Sequence, residues 1–196
     1  MGRPKIHDEA LRLRLLDRAA AIVFDRGMAA LTLRRLAADA NTSTTAVYSL
    51  FGNKAALLDA LYREATRRFA ARLATVEPTD DPAVDMVRLG LAYRDYAVTD
   101  PHLYAIMFTE RTEELDLPDE RGDEAAATIT ALVATVRRGQ QAGQLVDAPA
   151  DRIALSCWGI AHGLVSLELT GNVPPTLDIA ADYEHALRAM VDGWRT

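Results

Sequence analysis

The segment from Thr32 to Phe51 constrains the fold of this chain more than any other. It contains two short runs with apolar residues at helical spacing, separated by a polar stretch around Asn41. Thr32 is a favoured N-cap residue for the first run, and either Thr42 or Ser43 suits the N-cap of the second. Asn41 tolerates the left-handed backbone that such a tight turn requires. The segment therefore predicts a helix-turn-helix.

Helical periodicity extends through most of the remaining chain, and no segment of useful length alternates as a strand would. We therefore predict an all-α fold of about nine helices. One long helix is expected from Lys54 to about Val76, and a loop is expected from Glu110 to Glu124. A final helix is expected to run to the C-terminus, with an apolar stripe formed by Tyr183, Leu187, Met190 and Trp194.

The charge distribution divides the chain. Residues 1–75 contain 13 Lys and Arg against 7 Asp and Glu, whereas residues 76–196 contain 9 against 21. A basic segment joined to an acidic one is typical of a DNA-binding domain carried by a domain that does not contact phosphates. Together with the proline-containing break at 77–82, this predicts a flexible basic arm at 1–8, a basic DNA-binding head before the break and a helical body at 83–192.

The second helix of the motif carries small hydroxyl residues near its start, which suits approach to base edges in a major groove. Residues near helix ends are expected to hold phosphates, and basic residues, two of them in the arm, are expected to add long-range attraction. The predicted DNA-binding residues are Arg3, Lys5, Thr32, Arg34, Ser43, Thr44, Thr45, Tyr48 and Lys54.

Most of these residues belong to a pattern over residues 9–69 that resembles the N-terminal, three-helix DNA-binding domain of the TetR family of bacterial repressors. The matching elements are Phe24–Gly27, Leu31–Ala37, Ser43, Val47-Tyr48 with Phe51, and Lys54–Leu58. The resemblance implies phosphate contacts by the tyrosine and the lysine. It also implies a homodimer that binds a near-palindromic double-stranded operator and is released by a small ligand. Four residues depart from the pattern. Asn41 and Thr45 stand where the family commonly has glycine, Thr42 where it commonly has valine, and Leu50 where it commonly has histidine.

The segment from Ala150 to about Thr170 predicts a helix that is apolar on nearly all sides. Such a helix needs partners on more than one side, so we expect one face to pack in its own core and another on a second subunit. With the final helix it would form a four-helix interface. The predicted dimer residues are Trp158, Gly163, Leu167, Leu187, Met190 and Trp194.

Trp158, His162 and Gly163, with the upstream tyrosines and Asp100–Tyr104, resemble one C-terminal subclass of TetR-like regulators, the tryptophan–histidine–glycine subclass. Methionine and aromatic side chains suit a small, largely apolar effector with one or two hydrogen-bonding groups. His162 fits either a hydrogen-bonded core position or a ligand contact. The predicted ligand-binding residues are Met86, Tyr93, Tyr96, Met107, Phe108, Trp158 and His162.

Other classes of function are less favoured by the sequence. It contains no nucleophile elbow, glycine-rich phosphate loop or metal-binding His motif, so we expect no enzyme activity, cofactor or metal. The alternatives are an all-α enzyme or a DNA-binding architectural protein without sequence preference. The eight carboxylates of the 110–124 loop suit a solvated loop or attraction of a cation. The single cysteine, the absence of a signal peptide pattern and a longest uncharged stretch of 15 residues predict a cytoplasmic protein with no membrane partner.

Overall fold

The structure, a computed structural model, describes residues 5–108, 121–174 and 176–196, with side chains described at 8–108, 129–174 and 176–196. Nine α-helices, one 3-10 turn at Met28–Ala30 and no β-strand occur in these ranges, so the all-α prediction is confirmed. The helices are α1 (Lys5–Arg26), α2 (Leu33–Asp39), α3 (Thr44–Phe51), α4 (Lys54–Leu73), α5 (Pro82–Thr99), α6 (Pro101–Phe108), α7 (Arg121–Gln141), α8 (Ala150–Thr170) and α9 (Ile179–Asp192).

The chain forms two compact units. The first combines the chain up to Arg67 with the segment that begins at Asp100, and the second combines Arg68–Thr99 with the chain from Arg121 onward. Helix α6 therefore belongs with the N-terminal helices, although it follows α5 directly in sequence. The predicted body at 83–192 includes α6, because that prediction followed the order of segments along the chain.

In the first unit α1 packs against α2, α3 and α6. Its buried stripe includes Leu15, Leu16 and Ala19, and the helix stops before Gly27, whose φ of 77° suits a residue without a Cβ. Helix α1 already begins at Lys5, so the prediction of a flexible arm over 1–8 is wrong from that residue on. The reason is local: no glycine or proline interrupts the sequence after Lys5, and Asp8 in the first turn favours the helix dipole.

In the second unit α5 packs against α7, α8 and α9. The closest approach is at Gly90, where an added Cβ would lie 2.6 Å from a methyl carbon of Leu187. The Tyr183 hydroxyl donates to the Gly90 carbonyl at 3.1 Å, and Arg94 pairs with Glu168 through its Nε at 2.7 Å. These contacts hold α5, α8 and α9 in one register.

The buried carboxylate of Asp85 holds the segment that precedes α5 in place. Asp85 accepts hydrogen bonds from the backbone N–H and hydroxyl of Thr79 at 2.9 and 2.8 Å and pairs with Arg138 of α7. Burial raises the pKa of Asp85, but the bonds from Thr79 and Arg138 outweigh burial, and the pKa is lowered overall. The carboxylate is therefore ionised at neutral pH and ties the segment before α5 to α7.

Several predicted boundaries are wrong. Helix α4 ends at Leu73, not Val76, and the loop expected from Glu110 to Glu124 is already helical from Arg121. Its earlier acidic residues lie outside the described residues. Helix α9 ends at Asp192, so Trp194 is not in its stripe, because Gly193 ends the helix as its C-cap.

Helix α8 is the one described helix that is long and apolar enough to cross a membrane by length and composition. At 21 residues it exceeds the 15-residue uncharged stretch considered in the sequence, because charged residues lie at its ends. One such helix is weak evidence for a membrane span, since a core helix of a soluble protein can have the same length and composition.

Candidate functional site

The turn between α2 and α3 is built from caps whose partners are close in sequence. Thr32 Oγ1 accepts a hydrogen bond from the Arg35 N–H at 3.1 Å, and Ser43 Oγ accepts one from the Ala46 N–H at the same distance. Ser43, not Thr42, is thus the N-cap of α3. Asn41 has a φ of 52° and is the one non-glycine residue with positive φ in the described ranges. The helix-turn-helix prediction is confirmed, with local hydrogen bonds fixing both helix starts.

Helix α3 presents opposite faces to the core and to solvent. Val47 and Phe51 are buried in the first unit, whereas Thr45 and Tyr48 are exposed. Thr44 is half-buried, so it lies at the edge of the exposed face. The exposed face is therefore polar and presents hydroxyl groups of the size that base edges accommodate.

One exposed residue of α3 escaped the sequence prediction. Ser49 is exposed and lies four residues after Thr45, so both belong to the same face of the helix. The four-residue spacing from Thr45 already placed Ser49 on this face. For base contacts, the prediction named only hydroxyl residues near the start of the helix.

The amine of Lys54 has a partner within the protein. Its Nζ donates to the Met28 carbonyl oxygen at 3.1 Å, which ties the start of α4 to the turn between α1 and α2. Asn53 caps α4 by accepting from the Ala56 N–H at 2.8 Å. An ammonium group has three donors, so this bond leaves phosphate contact by Lys54 open while adding a structural role that the sequence did not indicate.

The remaining predicted DNA contacts differ in how far they are described. Thr32 and Arg34 are exposed on α2 and at its cap, on the same unit as α3. Arg3 lies outside the described residues, and for Lys5 only the helical backbone is described.

The second unit contains a partly open cavity of about 310 Å³. Helices α4, α5, α7, α8 and α9 all contribute to its wall. The described lining residues are Phe69, Leu73, Met86, Leu89, Gly90, Tyr93, Ile129, Ala131, Leu132, Cys157, Trp158, Ala161, Leu187 and Met190. A cavity of this volume is at the lower end of the range for small-molecule sites.

Three of the seven predicted ligand residues, Met86, Tyr93 and Trp158, line this cavity. Met107 and Phe108 do not, because α6 belongs to the first unit. Tyr96 is buried behind the wall, with its ring 5.3 Å from that of Phe69. The sequence missed most of the wall because its members occupy helical stripes that look like ordinary core.

His162 does not line the cavity but binds a residue that does. The Tyr93 hydroxyl and His162 Nδ1 are 2.9 Å apart, and His162 Nε2 lies 3.4 Å from the Ser166 hydroxyl. Burial lowers the pKa of His162, so the ring is neutral at pH 7. Burial also raises the pKa of Cys157 to about 12, which keeps its thiol protonated. His162 thus takes the hydrogen-bonded position that the sequence left open.

The outward face of α8 is apolar. Leu155, Ile160 and Leu167 are 58%, 39% and 41% exposed. A Cβ added at Gly159 or Gly163 would meet no atom within 4 Å, so the backbone of α8 is open to close approach at both glycines. A contiguous exposed apolar patch of this kind is typical of interaction surfaces.

Three of the predicted dimer residues belong to this face or its border, and three do not. Trp158, at 38% exposed, Gly163 and Leu167 lie on the outer side of α8. The prediction for Leu187 is wrong, because it is 1% exposed and packs on Gly90. Met190 lines the cavity, and Trp194 is half-buried, with its carbonyl oxygen accepting from the Val146 N–H at 2.9 Å.

Comparison with known proteins connects both units to transcription regulation. Residues 15–61 match the family model described as bacterial regulatory proteins, tetR family, and residues 86–190 match the model described as tetracyclin repressor-like, C-terminal domain. The chain is 29% identical to the HTH-type transcriptional regulator TtgR of Pseudomonas putida, over 93% of this chain and 90% of that protein.

Two further proteins are similar over almost the whole chain. The HTH-type transcriptional repressor SCO4008 of Streptomyces coelicolor is 27% identical over 94% of this chain and 96% of its own length. A solved structure of a Rhodococcus sp. RHA1 protein of unknown function superimposes with a TM-score of 0.80 at 26% identity, covering 95% of this chain and 96% of that one.

Proposed function

This chain belongs to the TetR family of bacterial regulatory proteins, and we propose that it represses transcription as a homodimer that a small ligand releases from DNA. The family consists of transcriptional regulators with an N-terminal DNA-binding domain and a C-terminal ligand-binding domain. The observation that carries the proposal is the exposed polar face of α3, held at a fixed angle by the Ser43 cap and the buried Val47 and Phe51.

In this proposal the head spans residues 9–69, and its α3 enters the major groove. Thr44, Thr45 and Ser43 approach base edges, while Tyr48, Lys54 and Thr32 hold phosphates. Arg34 and the basic residues before α1, Arg3 and Lys5, add attraction to the backbone. The supporting features are the exposure of Thr45 and Tyr48 and the basic balance of the first 75 residues.

The second subunit would cover the outer face of α8. Pairing two heads places their reading helices in successive major grooves about 34 Å apart, which matches a near-palindromic operator. The support is the exposed apolar surface of Leu155, Ile160 and Leu167 together with the open backbone at Gly159 and Gly163.

The effector is a small, largely apolar molecule bound in the cavity of the second unit, within the body proposed at 83–192. Trp158, His162 and Gly163 support placing the body in the tryptophan–histidine–glycine subclass, in which Tyr93 and Trp158 would face the ligand. A protein that binds operator DNA works in the cytoplasm, and we place this one there. The mechanism requires no enzyme activity.

The test is footprinting of the purified protein on the DNA upstream of its own gene. We expect protection of a near-palindromic site and a mass of twice the chain in solution. Equal binding to unrelated duplexes would favour an architectural DNA-binding protein, and failure to bind any duplex at low salt would contradict the proposal.

A further inference from the structure

The cavity wall is almost free of polar groups. None of its fourteen described lining residues is Asp, Glu, Lys, Arg or His. Only three carry a polar side-chain group, namely Tyr93, Cys157 and Trp158. The thiol of Cys157 is protonated, and the backbone carbonyl of Gly90 accepts from Tyr183. A ligand in this cavity would meet no charged side chain from the described part of the wall.

The strongest polar group of the wall, the Tyr93 hydroxyl, is hydrogen-bonded to a residue that does not line the cavity. His162 Nδ1 lies 2.9 Å from it, and His162 itself is outside the lining. In the tautomer with the proton on Nε2, the Tyr93 hydroxyl donates to Nδ1 while Nε2 faces Ser166. The ring of Tyr93 is held on its other side, edge-on to Phe69 with centroids 5.2 Å apart. The pair joins α5 to α8 and keeps the hydroxyl directed at the imidazole.

We propose that the cavity selects electrically neutral, apolar compounds, and that His162 is a positioning residue that maintains this selectivity by binding the Tyr93 hydroxyl. The proposal rests on the ligand-binding role proposed above, and it adds the charge class of the ligand and a residue that sets it.

The physical basis is desolvation. A charged group that leaves water for an apolar cavity loses hydration that no side chain of the described wall replaces. The volume corresponds to roughly ten water molecules at about 30 Å³ each, or a ligand on the order of fifteen non-hydrogen atoms at interior packing density. If His162 were removed, the Tyr93 hydroxyl would need another acceptor, and the wall would become more polar.

The test uses two fluorescent probes with the same aromatic skeleton. 1-Naphthamide is neutral and 1-naphthoate carries one negative charge, and because the two have the same number of non-hydrogen atoms and fit the volume estimated above, they differ in charge and not in size. Binding is measured on the protein without DNA, so failure of DNA binding and failure of this proposal are distinguishable. We expect the neutral probe to bind at least about a hundredfold more tightly than the anion. The Leu132→Trp variant, which fills the cavity, is expected to abolish this binding and separates it from adsorption to the face of α8.

The role of His162 is tested by a double-mutant cycle. His162→Phe should weaken binding of the neutral probe and reduce its preference over the anion, each by roughly tenfold, because the hydroxyl loses its imidazole partner. Adding Tyr93→Phe removes the hydroxyl and should restore neutral-probe affinity to within about twofold of the parent. Ser156→Ala is the matched control and should leave the preference unchanged, because the Ser156 hydroxyl lies on the same helix but donates to the Arg152 carbonyl at 3.0 Å and not to the Tyr93–His162 pair.

Three results would overturn the proposal. They are similar affinity for both probes in the parent protein, neutral-probe binding that survives Leu132→Trp, and a double variant as weak as His162→Phe. A purely structural role for His162 predicts the last result, because lost packing would not be restored by removing the Tyr93 hydroxyl. Should His162→Phe fail to fold, His162→Leu takes its place in the same cycle, and a His162→Leu variant that keeps the full preference for the neutral probe would also overturn the proposal.

Discussion

Helices α3 and α8 both leave a face exposed, but the two faces differ in chemistry. The exposed side of α3 carries hydroxyls and a half-exposed tyrosine on a helix of 8 residues, capped by Ser43. The exposed side of α8 carries leucine, isoleucine and glycine on a helix of 21 residues with no side-chain cap. A polar face with short side chains suits a hydrated, charged partner. An apolar face instead suits an apolar surface that packs against it and excludes water. This difference fits the proposed roles, in which α3 binds DNA and the outer face of α8 binds the second subunit.

The largest expected effect comes from placing charge on the face of α8. Leu155→Glu combined with Ile160→Glu should raise the dimer dissociation constant by at least about a hundredfold, because the carboxylates would be buried without partners. Operator affinity should fall with it. Sedimentation velocity and gel-shift titration measure both effects. Leu177→Glu is the control, since Leu177 is 57% exposed but lies outside α8. A double variant that remains dimeric would contradict the proposal that this face of α8 binds the second subunit.

Leu187→Ala tests whether Leu187 belongs to the core of the second unit and not to the surface that binds the second subunit. Leu187 is 1% exposed and fills the space beside Gly90, so we expect a loss of about 2–5 kcal/mol of unfolding free energy. Chemical denaturation measures the loss. The folded variant should keep the dimer dissociation constant of the parent. A large change in that constant would return Leu187 to the interface.

Two substitutions distinguish anchoring by charge from anchoring by hydrogen bonds on the first unit. Lys54→Met should weaken binding to all sequences and lower the salt slope by roughly one per subunit, since one phosphate contact is lost. Tyr48→Phe should weaken binding to all sequences by about 1 kcal/mol without changing the slope. Because Lys54 also binds the Met28 carbonyl, the melting temperature of each variant must be measured beside its affinity. Unchanged affinity in both variants would contradict the anchoring assignment.

Thr45→Gly tests whether α3 reads sequence. Thr45 is exposed and stands where the family commonly has glycine, so its removal should change discrimination at the bases it faces by about 1–3 kcal/mol. Ser49→Ala, one turn further along the same face, is a second probe of it. Selection of bound sites from a random pool measures preference. An unchanged consensus for both variants would show that this face does not read bases.

The smallest effect concerns acid stability of the second unit. The pKa of Asp85 is lowered in the folded state, so its stabilising contribution is present above the unfolded value near 4 and is lost as pH falls through the folded value. Asp85→Asn should flatten this dependence in denaturation curves recorded from pH 6 downward. A variant with the acid sensitivity of the parent would show that other carboxylates control this step.

The sequence predicted most of the first unit because its determinants are local. The Thr32 and Ser43 caps bond to groups three residues away, and the backbone of Asn41 depends on its own side chain. Helical periodicity likewise predicted the start of α4 at Lys54 and the extent of α8 from Ala150 to Thr170, since each apolar stripe repeats along a single segment. The start of α1 at Lys5 was missed because a basic terminal segment has no stripe to mark it.

Only the tertiary structure decided what each apolar stripe faces. A stripe defines the side of a helix that avoids water, but it does not say whether core, cavity or a second subunit lies beyond it. Leu187 therefore belongs to the core and Met190 to the cavity wall, although both stand in one predicted stripe. Tyr93 and His162 are 69 residues apart, and their bond exists because α5 and α8 pack together. Contacts between distant segments depend on the packing of whole helices, and no local pattern in the sequence encodes them.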